Sequence, residues 1–109
     1  MTTINSNSKI CTLINVFTVA PEKHLELFEN LKEATEKVMT RFPGYISANL
    51  HISDDKKTVT NYAQWKSLED YTNMLKDEEA RKHMKSAASF ATGFSPVTYN
   101  IIWTHSNND

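Results

Sequence analysis

Glycine occurs twice in the 109 residues, at Gly44 and Gly93, proline three times and cysteine once. Two isolated glycines make no phosphate-cradling loop and no dinucleotide fingerprint. The lone Cys11 cannot close an internal disulfide, so nothing calls for an oxidising compartment and the cytoplasm is expected. It opens a strand-like run with no base near it in sequence, which suits a buried, inert thiol better than a nucleophile. No apolar run reaches the roughly 18 residues of a membrane span, and the opening MTTINSNSK has no apolar core of the kind a signal peptide carries. The net charge of −1 exerts no pull on nucleic acid or anionic lipid, and no basic patch is interleaved with aromatics. Neither nucleic acid nor membrane is an expected partner. The four histidines, His24, His51, His83 and His105, match no metal-ligand spacing, so no metal is expected.

What the chain does contain is a folded domain's mixture, with 39% hydrophobic and 23% charged residues, enough apolar material for one core at this length. We expect a flexible polar arm over residues 1–9, a single domain over 10–105 and a flexible tail over 106–109. ICTLINVFTV is β-branched and aromatic and reads as a strand ended by Ala20-Pro21. Pro21 and Glu22 then suit a first helical turn, and Leu25, Phe28, Leu31, Thr35, Val38 and Phe42 form an apolar stripe running to Pro43-Gly44. YISANLHIS and KTVTNYAQW flank the polar turn 54–57 and form a hairpin. Ser67 and Asp77 are candidate caps for two helical segments, the second carrying Ala80, Met84, Ala87 and Ala91. Clustered acids follow each cap, where they complement the helix dipole. Gly93 and Pro96 end this region, and VTYNIIWTH is the last strand.

The order strand, helix, strand, strand, helix, strand predicts a ferredoxin-like βαββαβ fold of class α+β, a four-stranded antiparallel sheet with helices on one face. Counting alternate residues, Ile14, Val16, Tyr62, Gln64 and Ile102 lie on the uncovered face, which is too apolar for water. A second copy packed sheet on sheet would cover it, forming a homodimeric α+β barrel. On the helix side the count places Leu13, Asn15 and Phe17 on the first strand, and Val59, Asn61, Ala63 and Trp65 on the third. Two asparagines then point into an apolar layer between neighbouring strands. Buried amides require partners, so either they bond each other and nearby backbone or they form the polar floor of a small-molecule pocket. Trp65 and Tyr71 flank the turn into the next helix. Each joins an apolar body to one donor, which serves core packing or a flat aromatic ligand equally. Tyr99 and Trp103 read as core.

INVFTVAPE, FPGYISANLHIS and above all TVTNYAQWKSLEDY resemble the antibiotic biosynthesis monooxygenase domain family, small dimeric α+β barrel proteins. The likeness runs over residues 10–104 and is most specific in NYAQW followed by a tyrosine six residues after the tryptophan. It is similar in particular to the quinone-forming enzymes of aromatic polyketide pathways, which act on anthrone-like phenols with molecular oxygen and no flavin, haem or metal. That resemblance implies catalytic roles for Asn61, Trp65, Tyr71 and His51, although simple alternation turns His51 away from Asn61 unless a bulge re-aims it. It implies apolar walls from Phe17, Leu50 and Met84 and a substrate contact from Lys85, to which the strand alternation adds Asn15 on the substrate-binding floor. Lys85 stands where the family has an arginine and lacks that residue's planar fork.

On this resemblance the substrate itself is the reductant. Asn61 and Trp65 would hold its oxygen atoms and stabilise developing negative charge, Tyr71 would donate to substrate or peroxide, and His51 or water would move a proton. Two other readings compete. A non-catalytic binding or stress-response dimer would keep the fold alone. A haem-degrading branch of the superfamily shares Asn15, but Met74 and Met84 stand where its tryptophan and histidine belong, with His83 one residue off.

Overall fold

The computed structural model describes residues 1–107, so Asn108 and Asp109 of the expected tail lie outside it. Its strands are β1 (Cys11–Thr18), β2 (Tyr45–Ile52), β3 (Thr58–Trp65) and β4 (Gly93–Tyr99). Its helices are α1 (His24–Lys37), α2 (Leu68–Leu75) and α3 (Glu78–Phe90). The four strands form one antiparallel sheet in the order β2-β3-β1-β4, the ferredoxin-like arrangement expected.

The register sorts the side chains by face. Leu13, Asn15 and Phe17 lie opposite Ala63, Asn61 and Val59. These three pairs look toward the helices. Thr12, Ile14 and Val16 pair with Gln64, Tyr62 and Thr60 on the other face. Beneath the helices the core gathers in two clusters, one around Trp65, Tyr71 and Met74 and the other around Phe17, Leu27 and Val59.

Helix α1 follows a 3-10 turn at Pro21–Lys23, where proline's missing donor does no harm. Its buried stripe differs from the expected one. Leu27, Ala34 and the capping Val38 are buried, whereas Leu25 is 62% exposed. The stripe advances by four- and three-residue steps from Leu27 through Leu31, so counting from Leu25 starts on the wrong side of the helix. Burying Leu27 completely contributes about 2–3 kcal/mol.

Both helix caps form as expected. Ser67 Oγ accepts from the Asp70 backbone N–H at 3.0 Å, and Asp77 Oδ2 accepts from Ala80 N–H at 2.9 Å. Asp70 also sits against Gly44, where an added Cβ would stand 2.3 Å from the Asp70 Cβ. The Gly44 carbonyl accepts from Lys66 N–H at 2.8 Å. This close approach ties the start of β2 to the junction that carries Trp65 into α2.

The last strand departs from expectation. It spans Gly93–Tyr99, earlier than the expected 97–105, and contains both supposed breakers. Strand β4 is an edge, where a proline costs no ladder bond on the outer side. Ile102 therefore falls beyond the sheet and is 90% exposed, while Val97 and Tyr99 take the open-face positions opposite Ile14 and Thr12. Tyr99 and Trp103, expected in the core, are exposed because the sheet has turned one to the open face and ended before the other. Trp103 stacks on His105 instead.

The arm expected to be loose makes contacts with the open face. Gln64 donates through Nε2 to the Thr3 carbonyl at 2.7 Å and accepts through Oε1 from the Ser47 hydroxyl at 3.0 Å. Asn49 donates to the Tyr62 carbonyl at 3.1 Å and to Thr2 Oγ1. Gln64 is only 2% exposed as a result.

Candidate active site

Between the sheet and the helices lies a cavity of about 370 Å³, within the range of small-molecule sites. Leu13, Asn15 and Phe17 of β1 and Asn61, Ala63 and Trp65 of β3 form its floor. The alternation of two adjacent strands is what brings the asparagines together, since Asn15 and Asn61 are register partners. Helix α1 closes one wall with Leu31, Ala34 and Thr35, and α3 closes another with His83, Met84 and Lys85. Phe94 and Pro96 of β4, the register partners of Phe17 and Asn15, continue the floor to the edge of the sheet.

The floor is where the chemistry stands out. Asn15 Oδ1 and Asn61 Oδ1 are both buried without a hydrogen-bond partner. A buried orphaned acceptor costs about 1–3 kcal/mol, so this pair is a standing deficit in an apolar chamber. A carboxamide accepts through its oxygen and donates through its nitrogen, so each asparagine can receive a phenol O–H or hold an oxyanion. Two more buried oxygens lack partners, Thr12 Oγ1 and Asn30 Oδ1. Neither belongs to the cavity lining.

Aromatic rings brace one end. Phe42 and Tyr45 meet Trp65 edge-on, with centroids 6.1 and 5.9 Å away, and Tyr71 lies tilted against it at 6.2 Å. Trp65 is 2% exposed, so its ring is held on all sides. Burial pushes the Tyr71 phenol above its ordinary pKa, with a smaller push from Cys11, and burial alone does the same for Tyr45. Both phenols stay protonated and serve as donors. Burial likewise raises the Cys11 thiol, in keeping with an inert sulfur.

Of the residues expected at the site, Asn15, Phe17, Asn61, Trp65, Tyr71, Met84 and Lys85 all line this cavity. Leu50 and His51 do not. Leu50 pairs with Asn61 and shares its face, but it lines a separate hollow beside Phe28 near the start of α1. His51 pairs with Thr60, is exposed and borders the same separate hollow as Leu50, away from Asn61. A bulge does exist in β2, but it falls between Tyr45 and Ser47, too early to re-aim His51. Its effect is to set Tyr45 opposite Trp65 and leave Ile46 exposed. Tyr45 is thus a lining residue that alternation misses, as is His83, whose place on α3 depends on how the helices pack. Among the described residues no three His, Cys, Asp or Glu side chains cluster as a metal site.

Fold and cavity together define a ferredoxin-like protein with a partly open, mostly apolar chamber and a polar floor. The sequence model described as antibiotic biosynthesis monooxygenase matches residues 10–86, and the chain belongs to that family. It is 43% identical over 104 residues to tetracenomycin-F1 monooxygenase of Streptomyces glaucescens, covering 93% of each chain. Its activity class is that of a monooxygenase. A monooxygenase of Streptomyces coelicolor in complex with nanaomycin D superposes with a TM-score of 0.79 at 22% identity, over 94% of this chain and 95% of that one. A cofactor-independent oxygenase of Streptomyces nogalater superposes at 0.72 with 19% identity, over 89% and 97%. No described helix is long and apolar enough to cross a membrane.

Proposed function

We propose that this protein oxidises a phenolic, anthrone-type aromatic polyketide to a quinone with molecular oxygen and without a cofactor, working in the cytoplasm as a sheet-on-sheet homodimer. The observation that carries the reading is the pair of unpartnered amide oxygens, Asn15 Oδ1 and Asn61 Oδ1, side by side on the floor of an apolar cavity. The named activities of the Streptomyces relatives support it. The dimer is supported by the apolar residues left on the open face, Ile14, Val16, Tyr62, Val97 and Tyr99, of which Ile14 pairs with Tyr62 on one side and Val97 on the other.

Ground-state oxygen reacts slowly with closed-shell molecules, but a phenolate or its carbanion form can pass it one electron. The substrate is therefore the reductant. A methylene flanked by two aromatic rings becomes a carbonyl: one atom of O₂ enters the carbon, and the other leaves as water with the two hydrogens the carbon gives up. The free Oδ1 atoms of Asn15 and Asn61 receive a phenol O–H, and their Nδ2 groups donate to the oxygen on which negative charge develops. Tyr71 and Tyr45 keep their protons and donate to the oxygen atoms of substrate or peroxide. Trp65 packs the flat ring, and Lys85 stands as a cation at the wall.

Oxygen uptake by purified protein tests this with dithranol, an anthrone bearing phenol groups, and with tetracenomycin F1. Uptake above the uncatalysed rate, with quinone and water as products, is expected. No uptake with either compound sinks the enzymatic reading and leaves a binding module. A Soret shift on adding hemin, followed by its loss with reductant, would favour haem breakdown instead.

A further inference from the structure

We propose that His83 is the base of this reaction, taking the proton from the substrate's phenol O–H inside the cavity. The inference rests on the function proposed above and names the group that starts it. Forming the phenolate requires an acceptor for a net proton, and the cavity offers few. No aspartate or glutamate is among its lining residues. The two asparagines hydrogen-bond but do not take a net proton, and the lysine ammonium has donors only. Tyr45 and Tyr71 are held in their protonated forms by burial. Histidine is the side-chain type that exchanges a proton near neutrality, and its imidazole accepts through a bare ring nitrogen. His83 is the one imidazole among the lining residues.

Its position fits the task. His83 lies in the middle of α3 and is half-buried, whereas Lys82, Met84 and Lys85 around it are exposed. It forms part of the wall that stands across the cavity from the sheet floor. The titratable groups that line the cavity with it are Lys85 from its own helix, Tyr45 from β2 and Tyr71 from α2. Helix α1 contributes Leu31, Ala34 and Thr35 and no charge. Glu79, one turn earlier on α3, is exposed and already bonded to Arg41 at 3.2 Å. His51 cannot serve, because it does not line this cavity.

In the step itself the substrate O–H bond breaks, an N–H bond forms on His83, and the electron pair stays on the phenolate oxygen. One C–H proton of the methylene then restores the phenol O–H, the electron pair left on the carbon forms its bond to molecular oxygen, the outer peroxide oxygen takes the His83 proton, and the second C–H hydrogen leaves with that oxygen as water as the carbonyl forms. The nearby Lys85 ammonium favours the anion once it forms.

Dithranol tests the assignment in two stages, with wild type, His83→Gln and His83→Ala. Under nitrogen, where oxidation cannot occur, wild type is expected to bind dithranol as its anion, seen as a red-shifted absorption band. His83→Gln should bind the neutral form. In air, kcat of either variant should fall about 100-fold with KM little changed, and added imidazole should restore part of the His83→Ala rate. The pH profile of His83→Gln should lose its acidic limb. If His83→Gln forms the anion and turns over like wild type, His83 is not the base, while the oxygenase reading stands. If wild type neither forms the anion nor consumes oxygen, both readings fall together.

Discussion

Each face of the sheet carries two side-chain amides, and they are treated in opposite ways. On the open face Gln64 and Asn49 are bonded to Thr3, Ser47, Tyr62 and Thr2. On the cavity face Asn15 and Asn61 are register partners with their oxygens unpartnered. Within the sheet, the open-face amides are bonded, in part by the arm laid over them, and the amide oxygens of the cavity face are left without a partner. Such a cost persists where a ligand meets it, and a real protein breaks the rule of satisfied polar groups at its functional site.

Truncating one residue from each face sharpens the contrast. Trp65→Ala removes the centre of the aromatic group and should lower stability by about 3–5 kcal/mol, measured by urea unfolding. Gln64→Ala leaves the Ser47 hydroxyl and Thr3 carbonyl without a partner and should cost about 1–3 kcal/mol. Equal losses would mean that the cavity-side aromatics are not the tighter packed of the two layers.

Asn61→Leu probes the same difference from the other direction. It replaces an orphaned amide with an apolar side chain of similar size, so stability should rise by about 1 kcal/mol, a gain in Tm of roughly 4–8 °C, while oxygen uptake collapses. Asn49→Leu should lower Tm, because there the amide is bonded. A drop in Tm for both would show that Asn61 is satisfied after all.

The smallest effect concerns alkali. Tyr45 and Tyr71 on the cavity side are held above the ordinary phenol pKa, so the unfolded chain gives up these protons before the folded one does. Stability is fully present below the unfolded value and declines as pH rises past it. Replacing both by Phe should flatten that decline in pH-dependent thermal unfolding.

Much of this arrangement was readable from residue order. Strict alternation in β1 and β3 put Asn15 and Asn61 on one face, and the caps at Ser67 and Asp77 announced themselves by type and spacing. Where alternation fails, a local physical cause is at hand. The bulge at the start of β2 brings Tyr45 to Trp65, and nothing in YISA marks it. An edge strand accepts Pro96, so β4 begins four residues before its expected start and stops short of Ile102. His83 reaches the cavity, and Thr2 and Thr3 reach the sheet, through tertiary packing that has no period to read. The helix stripe was visible, but which side it began on depended on what α1 packs against.

The most direct measurement is the rate of oxygen consumption by Asn61→Ala beside Asn49→Ala, with dithranol as substrate and circular dichroism to verify that both variants fold. If the bare amides of the cavity face do the chemistry, Asn61→Ala should lose about 100-fold or more in kcat while Asn49→Ala keeps its rate. Equal activity in the two variants, or a greater loss at Asn49, would contradict the assignment of function to the cavity face.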